Sequence, residues 1–172
     1  MVNGWTKELG ARASKYDVNA AKKLLADAGY PQGFELTLDC PNDRYVNDEA
    51  ICQAVTAMWT RIGVRTQVDA LPWTAFVPRR TRIEYAMQMA AWGSSTGEGS
   101  NFLINTLATN NRQRLTGANN NARFSGPVFD ELAARGSATL DDERREAIWH
   151  EAVALYAEEE PLIQLIQYVN TW

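Results

Sequence analysis

Apolar residues fall at helical spacing in the stretch DVNAAKKLLADAGYP, where Val18, Ala21, Leu24, Leu25 and Ala28 share one stripe of a 3.6-residue wheel. Asp17 precedes the stripe, where a carboxylate can accept the first orphan amides, and Gly29 followed by Pro31 ends it. FELTLDC, residues 34–40, alternates Phe34, Leu36 and Leu38 against Glu35, Thr37 and Asp39, the period of a half-buried strand. A second helix is predicted from about Asn47 to Gly63, with Ile51, Val55, Met58, Trp59 and Ile62 at helical intervals, and VRTQVDA predicts a second strand. A short helix over 73–82 leads to AMQMAAW, 86–92, whose nearly unbroken apolar character suits a central strand covered on both faces.

Beyond that strand, NFLINTLA predicts a short helix, and TNNRQRLTGANNNARFSG is a polar loop long enough to suggest a functional surface. Pro127 opens a helix to about Arg135. In LDDERREAIWHEAVALYAEEE, Ile148, Trp149, Ala152, Val153, Leu155 and Tyr156 form the apolar stripe of a longer helix, with Asp141, Asp142 and Glu143 near its positive end. PLIQLIQYV predicts a closing strand. Strands alternating with helices define an α/β class, a mixed sheet flanked by helices.

A chain of 172 residues holds one core comfortably, so one domain is expected. The net charge of -4 argues against a nucleic-acid partner, because phosphate binding draws its affinity from clustered Lys and Arg. The one basic cluster, PRRTR at 78–82, reads as a solvated helix face. Cys40 and Cys52 lack CxxC spacing and a His partner, so neither a metal site nor a cofactor is expected. Two buried thiols fit the spacing, and so does a disulfide in an oxidising compartment. No apolar run reaches the roughly 20 residues of a membrane span, and the amino terminus has no apolar signal core. A cytoplasmic protein and an excised segment of a longer secreted chain would both look this way.

GSSTG, 93–97, spells the G-x-S-x-G of a hydrolase nucleophile elbow, with Ser95 as nucleophile and Asp130 and His150 following in the required order. On the last helix, however, His150 falls roughly 150° from the centre of the apolar stripe. TGEGS continues as loop where an elbow needs a helix to begin, and no HGGG-type oxyanion segment lies upstream. Glu98 and Asp43 are the loop carboxylates available for acid–base work, but turn and surface roles account for them more simply. No enzyme is expected.

The order of YDVNAAKKLLADAGYPQGFELTL, PNDRYVNDEAICQAVTAMWTRIGVRTQVDALPWTAF, MQMAAWGSSTGEGSNFL and RFSGPVFDELAARGSATLDDERREAIWHEAVALYAEEEPLIQL resembles the carboxy-terminal lobe of family 5 periplasmic solute-binding proteins. These are the binding proteins of dipeptide, oligopeptide and nickel ABC importers. The resemblance runs from about Tyr16 to Trp172 and implies residues 1–15 as an irregular lead-in and 16–172 as a single ligand-binding lobe. It further implies a missing amino-terminal lobe of the same chain, a small or peptide-like solute as ligand, importer membrane permease subunits as partners, and a periplasmic or cell-surface location.

In dipeptide-binding members, an arginine shortly after the first strand of this lobe takes the ligand carboxylate, and PNDR puts Arg44 there. Ion pairing with Asp43 or Asp48 is the competing role for Arg44. The same members carry an aspartate for the peptide ammonium three residues past the tryptophan of the central strand; counted from Trp92, that position is Ser95. A hydroxyl supplies no charge for an ammonium, so the resemblance implies an acidic or hydroxylated ligand without an obligatory amine. Trp92 offers a flat surface and Gly93 a close backbone approach. Tyr45, Ser94, Thr96 and Asn101 complete the expected ligand-facing set.

Overall fold

The computed structural model describes residues 16–93, 98–166 and 168. They fall within two compact units, Ser14–Trp92 and Gly93–Trp172. The first unit runs α1 (Val18–Asp27), β1 (Phe34–Pro41), α2 (Asp48–Thr60), β2 (Val64–Leu71), α3 (Trp73–Arg82) and β3 (Met87–Gln88). Asp17 caps α1 as its position predicts, one carboxylate oxygen accepting the amides of Asn19 and Ala20 at 2.9 Å each. Only part of the α1 stripe is covered: Val18, Ala21 and Leu25 are half-buried, whereas Leu24 is 68% exposed.

The three described strands are parallel in the order β2-β1-β3, with Phe34 opposite Val64, Pro41 opposite Leu71 and Leu38 opposite Met87. The central strand is therefore β1. The segment 86–92, expected at the centre, contributes two strand residues at the sheet edge, and Ala90 is exposed, because no described strand pairs with its far side. The face bearing Leu36, Leu38, Cys40, Val68, Met87 and Met89 packs against Ile51, Cys52 and Trp59 of α2. Cys40 and Cys52 are joined in a disulfide, so the thiol alternative does not hold. Both are buried. Gly33 and Gly63, each at positive φ, bring the turns before β1 and β2 so close that a Cβ on Gly33 would collide with the Gly63 carbonyl.

On the opposite sheet face the register aligns Asp39 with Asp69 and Gln88. Arg79 of α3 reaches over this row and pairs with Asp39 and Asp69, so PRRTR is a solvated face only in part: Pro78, Thr81 and Arg82 are exposed, and Arg82 forms a two-pronged pair with Glu84. Coverage of both faces also ends the predicted alternation, since Asp39, Cys40 and Pro41 are buried in succession.

The second unit contains the short α4 (Ser100–Phe102), which continues into a π-helical turn over Leu103–Leu107, then α5 (Pro127–Ala138) and α6 (Asp142–Glu159). The predicted α6 stripe is the packed one. Ile148, Trp149, Ala152 and Tyr156 join Leu103, Leu107, Phe129, Leu132 and Ala133 in a single apolar cluster. The Asn-rich loop before α5 is tied together by internal hydrogen bonds: buried Asn120 donates to the carbonyls of Phe124 (2.6 Å) and Ala108 (3.0 Å) and accepts the Phe124 amide (3.1 Å). PLIQLIQYV is not a strand among its described residues; Ile163 and Ile166 stand 64% and 60% exposed without a ladder partner.

Candidate ligand-binding site

The carboxyl end of β1 is where the sequence begins to build a site. Pro41 closes the strand, the Asn42 amide continues the ladder to Leu71 (3.0 Å), and the chain then turns through 43–47. The turn is wound about the carboxylate of Asp48. One oxygen accepts the amides of Arg44 and Tyr45 at 3.0 Å each, and the other accepts that of Glu49 at 2.9 Å. Burial alone would push the Asp48 carboxyl up, but the backbone donors of Tyr45, Arg44 and Glu49 outweigh it and hold its pKa below the ordinary value. Asn47, the expected helix start, sits in the left-handed region at φ 58° and makes no side-chain cap.

Parallel pairing places the end of β2 beside the end of β1, so α3 begins next to this turn. Asp43 Oδ1 accepts the Trp73 amide at 2.7 Å, supplying the cap that Pro72 lacks. The Arg44 guanidinium carbon lies 5.1 Å from the Trp73 ring centroid and 5.9 Å from that of Tyr45. Trp73 stacks at 5.6 Å on Phe76, which is 1% exposed, and meets Tyr45 edge-on at 6.0 Å. Asp43 and Asp48 are both engaged by backbone amides, so the competing role of Arg44 as their ion-pair partner is not realised. No described carboxylate forms a salt bridge with it.

Of the residues expected to face a ligand, the structure brings Arg44 and Tyr45 together over Trp73. Trp92 is half-buried, a few residues past β3, and that strand runs parallel to β1 so that both end at the same side of the sheet. Gly93 is exposed, and a Cβ there would meet nothing within 4 Å. Ser94, Ser95 and Thr96 lie outside the described residues. Asn101 is half-buried, its carbonyl accepting the Asn105 side-chain amide at 2.8 Å. The sequence reading missed Trp73 and Asp48 as parts of this arrangement. A tryptophan two residues past the end of a strand parallel to β1 was the available signal, since ligands of open α/β sheets bind outside the carboxyl ends.

The groups drawn for catalysis have structural partners. Asp130 Oδ1 accepts the Thr109 amide at 2.8 Å, and His150 lies 3.8 Å from Glu146 one helical turn away. Glu98 accepts from the Ser100 hydroxyl at 2.9 Å and pairs with Arg145 at 3.4 Å. No cluster of three metal-ligating side chains occurs among the described residues, and no described helix is long and apolar enough to cross a membrane. Two concavities among the described residues, about 430 Å³ between α5 and α6 and about 370 Å³ beside α1, include none of the expected ligand residues.

The chain belongs to the bacterial extracellular solute-binding proteins, family 5, whose middle-region model matches residues 1–114. It is 29% identical over 161 residues to Heme-binding protein A of Haemophilus influenzae, covering 90% of this chain and 28% of that protein. It is 30% identical over 159 residues to the periplasmic murein peptide-binding protein MppA of Escherichia coli, covering 91% of this chain and 28% of MppA. Among solved structures, the periplasmic binding protein AgaA of A. tumefaciens R10 in complex with agropinic acid superposes with a TM-score of 0.80 at 25% identity. That match covers 94% of this chain and 32% of AgaA. The chain thus spans under a third of the length of these relatives.

Proposed function

We propose that this chain is a ligand-binding lobe of a solute-binding protein that serves an ABC importer, and that Arg44 anchors an acidic group of the solute. The parent protein would supply the opposing lobe, close over the ligand, and present the closed form to the membrane permease. A periplasmic or cell-surface location agrees with the buried Cys40–Cys52 disulfide, since such bonds persist in oxidising compartments. One observation carries the anchor role: Arg44 stands exposed over two aromatic rings while both flanking carboxylates are taken by backbone amides. Its five N–H donors in a planar fork suit a carboxylate from outside the chain. Ser95, standing where dipeptide binders place an aspartate, removes the charge that would demand a free amine. AgaA, a relative whose structure is solved in complex with agropinic acid, fits that preference for acidic solutes.

Thermal shift of the full-length parent protein tests this with agropinic acid and with peptides in four forms: free, N-acetylated, C-amidated and doubly blocked. Ligands that bind raise the melting temperature by linkage. N-acetylation should leave a shift intact, amidation should remove it, and Arg44→Met should abolish it. A shift that survives both amidation and Arg44→Met would overturn the anchor role.

A further inference from the structure

We infer that Trp73 is the positioning residue for Arg44, fixing the guanidinium over its ring so that the arginine meets a ligand acid already ordered. This rests on the reading of Arg44 as anchor. The geometry has three linked parts. Phe76 is buried beneath Trp73 and stacks on it with ring planes 21° apart, so the indole has a rigid floor. Asp43, the residue before Arg44, accepts the Trp73 amide, so one hydrogen bond ties the turn to the residue that carries the ring. The Arg44 guanidinium carbon then sits 5.1 Å from the Trp73 centroid, within cation–π range.

The chemistry favours this use of an aromatic ring. A carboxylate partner would hold Arg44 in place but would occupy the N–H fork and compete with the ligand. A ring attracts the cation through its quadrupole without neutralising its charge. An exposed arginine otherwise loses rotamer freedom when it captures an acid, and prior ordering by Trp73 removes part of that cost. Tyr45 alone is a weaker holder, its centroid being 5.9 Å away.

Arginine Nε–Hε NMR spectra of the full-length protein test the contact without any ligand. Ring current should displace the Arg44 Hε signal upfield of that of exposed Arg114 in the wild type. Trp73→Leu should return it to the ordinary position, and Trp73→Phe should leave it partly displaced. An Arg44 signal coincident with that of Arg114 in the wild type, or unmoved by Trp73→Leu, overturns the inference. The wild-type spectrum and Trp73→Phe, which keeps a ring on Phe76, decide the matter even if Trp73→Leu folds poorly.

A second arm measures the Kd for whichever acid-form solute shifts the melting temperature most. Trp73→Leu should weaken it about 2- to 5-fold, the equivalent of an exposed cation–π contact, and Trp73→Phe should restore most of the loss. Arg44→Met binding as well as wild type would refute the anchor alone, with the spectra still reporting the ring contact. Loss of binding in Arg44→Met with full binding in Trp73→Leu would refute the positioning role alone.

Discussion

Arg79 Nη2 lies 3.0 Å from Asp39 Oδ2, an ion-pair distance without hydrogen-bond alignment, and neither oxygen of this buried carboxylate has a donor among the described residues. The well-aligned contact of Arg79 is with Asp69, at 2.6 Å. Asp39 therefore carries a burial cost that Arg79 only partly offsets. Desolvation raises its pKa, Arg79 pulls it back, and Asp69 on the neighbouring strand adds to the rise. The folded state thus holds the Asp39 proton at pH values where the unfolded chain has released it. The resulting stabilisation is complete below the unfolded pKa, about 3.9, and is lost as pH rises through the folded value. Asp39→Asn should abolish this dependence. Urea midpoints taken between pH 4 and pH 7 should show the wild type losing ground to the variant as pH rises, and a gap that widens in favour of wild type would contradict the assignment.

Asp48 has the opposite sign. Its pKa is lowered by backbone donors that together outweigh burial, so its contribution is present above the ordinary carboxylate value and lost as pH falls through the depressed one. Asp48→Asn keeps a single acceptor oxygen and cannot serve the amides of Arg44, Tyr45 and Glu49 as the carboxylate does. It should cost about 2 kcal/mol at neutral pH and flatten the acid limb below about pH 4. A variant as stable as wild type at pH 7 would show that the turn holds without the carboxylate.

The Cys40–Cys52 bond closes a loop with a sequence separation of 12, and that loop contains Arg44, Tyr45 and Asp48. Cross-linking a loop of this size stabilises by about 2–4 kcal/mol, chiefly by restricting the unfolded chain. The double variant Cys40→Ala, Cys52→Ala should lose that amount in denaturant unfolding under non-reducing conditions. Both sulfurs are buried, so native protein should resist mild thiol reductants that reduce the bond readily in denaturant. Equal reduction rates in the two states would mean that the sulfurs are accessible in the native fold.

Legibility in the sequence tracks how local each cause is. Asp17, Pro127 and Asp141 announce helix starts through neighbours a turn away, and all three helices begin at the next residue or, for Pro127, on it. Strand order is a nonlocal property. The apolar run 86–92 looked central by composition, yet β1, with its mixed residues, took the centre because β2 and β3 both pair with it. PLIQLIQYV had strand propensity without a described partner to complete a ladder. Arg79 looked like a surface charge because its acidic partners lie on other elements, Asp39 on β1 and Asp69 on β2. In the candidate site, Arg44 was found through family resemblance, whereas the aromatic floor needed the β1–β2 register to bring Trp73 beside it.

Gly136 shows how tightly the second unit depends on one missing side chain. It lies buried on α5 against Trp149 of α6, and a Cβ added there would stand 2.6 Å from the indole Cζ2 and 2.7 Å from Cη2. Helix propensity alone favours alanine over glycine by about 1 kcal/mol, so the sign of Gly136→Ala depends on whether the indole can retreat. Trp149 is 1% exposed within the main apolar cluster and has little room to move. Overpacking of a close-packed core costs about 1–3 kcal/mol, enough to exceed the propensity gain. Gly136→Ala should therefore be destabilising on balance, and Gly136→Val, bulkier and β-branched, more so. Pairing Gly136→Ala with Trp149→Phe, which removes the ring atoms nearest the new Cβ, should make the alanine substitution less costly than in the wild-type background. Chemical denaturation of the four proteins in this cycle gives the coupling directly. Strict additivity would show that the close approach of α5 and α6 is not what glycine serves at this position.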